Sequence, residues 1–497
     1  MKLPSKTPVS RRLFLGGIAA AGSTAVVQQA SATQPNQRSA RPRQAGSDMM
    51  RHWNSTTIDA IGLDHTPVAA GEDRIGGQQL GPGRSSWAAA IVHIAAFEAV
   101  NAITGRYHSY AGLAPGPREA SIDVAIAQAS HDALNFVLSG QSKHCDQLLA
   151  ADLAAIPNGQ LKVNGIDIGR RAAAAAIALR AKDGTDYIEP RVGVDFLTSD
   201  QPGKWRQDPI SLIPVALGAQ WGEVRPFVLD SADQFRTPPP AALTSRRYRV
   251  AFDEAKRLGG DGIVTRTERT ADQTVTGIFW AYDGTPSLCA PPRLYNQIAM
   301  RIADEMGTSA DPVETARLLA LVNVAMADAG IAIWESKYFY QYWRPVTGIR
   351  EADDGAGPSG LGDGNPATRG DATFTPLGAP ASNLAGPNFT PPFPAYPSGH
   401  AGFGGALFQI LRRFYRTDNI PFTFVSDEYN GLTKANDGTV RPRIERTYQS
   451  LSQAEEENGQ SRIYLGIHWS FDKTEGIHQG RRVADYVFDN AFLVKSE

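Results

Sequence analysis

The chain has 497 residues, 20% of them charged and 42% hydrophobic, with 49 Lys and Arg against 51 Asp and Glu for a net charge of −2. Those proportions exclude a disordered tail and a membrane bundle, and a charge so near zero excludes a dedicated nucleic-acid binder, which needs a strongly basic face. Two cysteines, Cys145 and Cys289, exclude a disulfide framework and a zinc ribbon and read as buried thiols in a large globular enzyme.

In chain order, the first feature is an export signal. Ser10-Arg11-Arg12-Leu13-Phe14-Leu15 is a twin-arginine signature, followed by an apolar run from Gly16 to Val27 and a small-x-small site at Ala30-Ser31-Ala32. The run is about a dozen residues, short of the ~20 that a membrane span requires. Residues 1–32 are therefore expected to be a signal peptide and 33–49 a flexible leader, with the mature protein exported to the periplasm or beyond. No later segment reads as eighteen consecutive apolar residues.

Helical periodicity dominates the remainder of the chain. Ser86 to Ile103, Ile122 to Leu138, Asp167 to Ala181, Pro312 to Trp343 and Ala401 to Tyr415 place apolar residues at spacings of three and four. No sustained alternation or βαβ rhythm appears, so the expected class is mostly α, with a helical unit over 50–240 and a second over 241–497. Residues 352–399 stand apart, with nine glycines and nine prolines. A free linker rarely keeps Phe374, Phe389, Phe393 and Tyr396, so this stretch is expected to be an ordered loop that builds a site.

Three motifs in order point to anion chemistry. Lys337 and Arg344 are seven apart, which on a helix turns the chain by about 700° and puts both cations on one face, roughly 10 Å apart. Pro345 would then end the helix and leave Arg344 in its last turn. Next, Pro397-Ser398-Gly399-His400 precedes the Ala401 helix. Ser398 sits where an N-cap belongs, Gly399 allows a close backbone approach, and an imidazole at a helix start can exchange protons near neutral pH. In the third, Arg462 offers a guanidinium fork, and His468 and Asp472 are spaced so that on a helix the carboxylate holds Nδ1–H and frees Nε2. Together these residues describe a pocket for a phosphate-shaped oxyanion. They argue against catalytic zinc, since no HExxH or CxxC is present and the cations would repel a divalent metal.

The three blocks resemble those of the vanadium-dependent haloperoxidases, which share their pocket with the type 2 phosphatidic acid phosphatase and bacterial acid phosphatase superfamily. Phe279-Trp280-Ala281-Tyr282-Asp283-Gly284 and the Pro391–His400 run are similar to the fungal chloroperoxidase branch. The resemblance implies two four-helix bundles with long Gly/Pro-rich loops and the site in the C-terminal bundle. It implies a vanadate cofactor, with Lys337, Arg344, Ser398, Gly399 and Arg462 on its oxygens, His468 as the vanadium ligand and His400 as acid-base. Lys337 would also polarise bound peroxide. Trp334 and Phe393 fall at the halide-pocket positions, and Asp283 matches an acid that pairs with the site arginines. The substrates implied are hydrogen peroxide, a halide and a small organic acceptor. An acid phosphatase that forms a phosphohistidine at His468 would use the same pocket, and a non-catalytic oxyanion-binding protein would need neither imidazole.

Overall fold

A computed structural model describes residues 45–495. The expected signal peptide and most of the expected leader lie outside the described residues. The leader's last residues do not stay irregular, because the first helix, α1 (Ser47–Asp64), already begins at Ser47. Four more helices come next: α2 (Gly81–Thr104), α3 (Ile122–Val137), α4 (Ser142–Ala154) and α5 (Gln160–Arg180). A long irregular stretch then leads to α6 (Arg246–Gly259), α7 (Ala271–Phe279), α8 (Pro291–Glu305) and α9 (Pro312–Tyr340). The rest is α10 (Pro345–Arg350), α11 (Gly399–Tyr415), strands β1 (Phe422–Asn430) and β2 (Arg443–Tyr448), α12 (Leu451–Tyr464) and α13 (Ser470–Asn490). The fold is mostly α, as expected.

The central element is α9. Asp311 caps it through Val313 and Glu314 N–H, at 2.9 and 3.3 Å, and Pro312 sets its first φ angle. Beyond the first turn it is apolar almost all round, so it can be stable only if covered on every side. On one flank it packs against α2, which in turn packs on α3 and α5; on the other it meets α11 and α13. Both α2 and α9 are long and apolar enough to cross a membrane, although neither is an unbroken apolar run. Yet 94% and 100% of their most apolar windows are buried inside the protein, as in core helices.

Three local expectations are corrected. The helix over 312–343 stops at Tyr340, where Gln341 takes a left-handed conformation and its N–H bonds Lys337 O at 2.7 Å. The chain then runs extended: Trp205 N–H donates to Gln341 O and Trp343 N–H to Gly203 O, at 2.7 and 2.9 Å. Lys337 and Arg344 thus do not share a helix face. The physical reason is Pro345, whose ring clashes with a helical preceding residue; Arg344 sits at φ −81°, ψ 158°, and Pro345 opens α10 rather than closing α9. His468 and Asp472 likewise do not share a helix. His468 precedes the Trp469 N-cap of α13, while Asp472 lies in the first turn. Third, β1 and β2 form an antiparallel pair absent from the expected elements. Phe422 faces Tyr448 and a register shift falls between Val425 and Asn430. The strands run through a stretch broken by charge, which hid their alternation.

The helix pair that carries the site is close because it is built from small residues. A Cβ added at Gly476 of α13 would lie 2.6 Å from Ser398 O, and one at Gly405 of α11 would lie 2.6 Å from Ile477 O. At Gly480 a Cβ would run directly into the Gly402 carbonyl. Both colliding parties are backbone, so relief requires the helices to part. Gly480→Ala is therefore expected to destabilise the protein by about 1–3 kcal/mol, despite the ~1 kcal/mol that alanine gains in helix propensity. Urea unfolding checks this; a variant as stable as the parent would show that the contact yields cheaply.

Candidate active site

The Ser398 N-cap accepts from Ala401 N–H at 3.5 Å, and its own N–H donates to Asp472 O at 3.0 Å. This fixes the start of α11, whose first amides, including Gly399 and His400, have no intrahelical acceptor. The His400 carbonyl is pinned from behind by Tyr295 Oη and Asn458 Nδ2, at 2.9 and 3.0 Å. Its ring donates Nε2–H to Ala281 O, and Nε2 lies 3.9 Å from Asp283 Oδ1. Burial, aided by the nearby Arg462, Arg344 and Lys337 charges, holds His400 well below the ordinary imidazole range, so it is neutral.

The second imidazole is set up differently. His468 donates Nδ1–H to Asp472 Oδ2 at 2.8 Å, and the same oxygen caps α13 by accepting Trp469 N–H at 3.0 Å. That leaves Nε2 as the lone-pair nitrogen, and Arg344 Nη1 donates to it at 2.9 Å. Burial keeps His468 neutral, with Arg344, Lys337 and Arg462 acting in the same direction. Burial also pushes the Asp472 carboxyl up to about 7, against the Trp469 N–H and the Lys337 and Arg344 charges that favour its ionised form.

Three cations surround these imidazoles. Arg344 and Arg462 are each 1% exposed and Lys337 is fully buried. Arg344 also donates Nε–H to Phe393 O and Nη1–H to Ile467 O, both at 2.9 Å. Arg462 Nη2 bridges both Asp283 oxygens at 2.7 and 2.8 Å, while its Nε and Nη1 are buried with no partner among the described residues. Leaving such donors unmade costs roughly 1–3 kcal/mol. Arg462 itself lines the central cavity, which makes an oxyanion there a candidate partner. Lys337 Nζ bonds the carbonyls of Pro394, Ala395 and Pro397, three acceptors for its three N–H groups.

Gly399, His400, Arg462 and His468 line one cavity of about 460 Å³, together with Asp283, Trp334 and Phe393. The Trp334 and Phe393 rings are 4.9 Å apart, and Arg344 and Lys337 sit 5.0 and 5.2 Å over the Phe393 ring. Lys337, Arg344, Ser398 and Asp472 are buried without forming its wall. The loop over 352–399 builds one side through Ala381, Phe389 and the Pro391–Phe393 run. Among the described residues, no three His, Cys, Asp or Glu side chains converge as a site for a metal cation.

A family model described as the VCPO second helical-bundle domain matches residues 317–495, a span that holds both imidazoles and all three cations. The vanadium chloroperoxidase of Curvularia inaequalis is 29% identical over 506 residues, covering 87% of this chain and 80% of its own length. The chain is similar to a vanadium chloroperoxidase over most of its length. Solved structures agree in fold. A bacterial vanadium-dependent iodoperoxidase superposes with a TM-score of 0.71 at 22% identity, over 92% of this chain and 99% of its own. A holo-type bacterial vanadium-dependent chloroperoxidase gives 0.59 at 18% identity, over 82% and 92%.

Several supporting groups of the site have no clear signal in the sequence. Ala281 acts through its carbonyl, which has no sequence signature. Tyr295 and Asn458 come from α8 and α12 and meet only in the fold, although Asn458 lies one turn before Arg462 and carries that faint signal. Both cysteines are free and buried, as expected. The His468–Asp472 bond yields a direct test. Asp472→Asn can still cap α13 but can also present N–H to Nδ1 and reverse the tautomer, so affinity for a tetra-oxo anion is expected to fall about 10–100-fold with the fold intact. Calorimetric titration with orthovanadate and with phosphate measures it, and unchanged affinity would show that the carboxylate does not set the imidazole.

Proposed function

We propose that this protein is a vanadate-dependent haloperoxidase: hydrogen peroxide, a halide and a proton give hypohalous acid and water. The observation that carries this reading is a pair of neutral, buried imidazoles sharing one cavity with a guanidinium whose Nε and Nη1 donors have no partner among the described residues. The donor set fits a tetra-oxo anion of vanadium. Arg462, Arg344 and the α11 N-terminus at Ser398–Gly399 would hold its oxygens, and His468 Nε2 would ligate the metal once Arg344 turns its N–H to an oxygen. Vanadate, when bound, supplies a Lewis acid of high oxidation state that makes peroxide oxygen electrophilic.

The chain's own residues supply the rest. His400 is neutral and its Nε2–H is held by Ala281 O, so Nδ1 is the atom that takes a proton from peroxide and returns it to the departing oxygen. Asp283 binds Arg462 and orients it, and Asp472 keeps the His468 lone pair on Nε2. Lys337 acts through its charge and by fastening the Pro394–Pro397 carbonyls. Trp334 and Phe393 exclude water and provide a polarisable wall for the halide. A Phe at 393 supports a chloroperoxidase-like pocket. The twin-arginine leader in residues 1–32 supports export of a folded enzyme.

Purified protein given orthovanadate, peroxide and bromide or chloride should halogenate an activated diketone. His400→Ala should keep its vanadate and lose turnover by about 10²–10⁴-fold. His468→Ala should stay folded and bind vanadate far more weakly. Efficient hydrolysis of a phosphate ester with no vanadate-dependent halogenation would instead establish the acid phosphatase, with His468 as nucleophile.

A further inference from the structure

The cavity is larger than the proposed chemistry needs. A tetra-oxo ion and one halide occupy on the order of five waters, roughly 150 Å³ at ~30 Å³ each. The cavity holds about 460 Å³, which leaves space at the lower end of what small-molecule sites offer. That remaining space differs in character from the floor. Charged and titratable side chains in the lining are His65, Tyr282, Asp283, His400, Arg462 and His468, and all but His65 and Tyr282 belong to the cage; the Tyr282 hydroxyl is engaged by Gln297 Oε1 at 3.1 Å and Asp427 N–H at 2.6 Å. The His65 ring is itself satisfied: Nδ1–H donates to Ile61 O at 2.9 Å and Nε2 accepts Gly81 N–H at 3.1 Å. Away from the cage the lining is largely apolar, with Leu80 and Pro82 at the start of α2, Ile213, Val215 and Leu217 on the irregular stretch, and Leu384 on the Gly/Pro-rich loop, and with Ser211 and Thr285 as its hydroxyl side chains beside Tyr282.

We infer that this upper chamber holds a neutral, largely apolar organic acceptor, which is halogenated in place rather than by hypohalous acid released to solvent. The inference rests on the haloperoxidase reading and adds the class of acceptor. A charged molecule would be desolvated there against walls whose titratable side chains, His65 and Tyr282, are already engaged within the protein, whereas an apolar one gains from every wall it covers. The acceptor's electron-rich carbon then sits over the site where halide becomes hypohalous acid. Carbon takes the halogen with its electron pair, the ring proton leaves, and the hypohalous oxygen departs as water with that proton.

Thymol is a suitable probe, being neutral and apolar with two halogenation positions. With the vanadate-loaded full-length protein, calorimetry should show thymol binding, and the two ring-halogenated isomers should form in a ratio at least about fivefold away from that given by reagent hypohalous acid. Val215→Trp, which fills the chamber, and Leu384→Asp, at an exposed rim position, should each weaken thymol binding about tenfold. Both should return the isomer ratio to the reagent value. Vanadate affinity and diketone turnover should stay within about twofold in both, since neither residue touches the cage. Diketone turnover accompanied by the reagent isomer ratio in the parent protein would overturn the inference and leave the peroxidase reading standing. Absence of diketone turnover in the parent would overturn both.

Discussion

Burying Arg344, Arg462 and Lys337 within one layer of helices costs several kcal/mol per charge unless something replaces the lost water. Among the described residues, only Asp283 of the carboxylates binds one of these cations directly. Most of the replacement comes from backbone. Phe393 and Ile467 carbonyls serve Arg344, and Pro394, Ala395 and Pro397 serve Lys337. A proline-rich run is suited to that task, because without its N–H groups it cannot join a helix or ladder that would consume those carbonyls. The composition that looks like a linker is thus the solvation shell of a cationic cage.

That shell is incomplete because carbonyls satisfy Lys337 fully and most of Arg344, while Arg462 keeps two nitrogens without partners among the described residues. The positive surplus also sets the protonation states of its neighbours. Both imidazoles lose the competition for protons to burial and to the cations, so they remain neutral where free histidine would be half charged. They then diverge through second contacts: an acid behind His468 dedicates its Nε2 as a lone-pair donor, while a carbonyl in front of His400 leaves Nδ1 free to exchange a proton. One electrostatic environment thus presents two neutral imidazoles through different nitrogens.

The scaffold keeps these groups in register by close backbone approach. The glycines of α11 and α13 let His400 and Asp472 belong to helices in near contact, and the Ser398 N–H to Asp472 O bond ties one helix start to the other. Strand β1 extends the arrangement outward. Ser426 Oγ donates to Phe279 O, and Tyr282 N–H donates to the buried Glu428 carboxylate, so the segment bearing Ala281 and Asp283 is clamped from outside the helical layer.

Much of the site was legible in the linear order of residues. Residue types at short range announce the Ser398 cap, the ordered Gly/Pro loop and the mostly α class, because these depend on hydrogen bonds and periodicity within a few residues. The helical placement of Lys337 with Arg344 and of His468 with Asp472 failed. Spacing alone does not reveal that a pre-proline residue is driven extended, or that a helix begins only after the histidine. Sequence by itself determined which groups are available: three cations, two imidazoles, two acids and a loop that cannot form regular structure. Tertiary structure alone decided what each group does, since whether a lysine meets carbonyls or a ligand, and which imidazole nitrogen keeps its lone pair, depends on partners 50 to 180 residues away that burial leaves no water to replace.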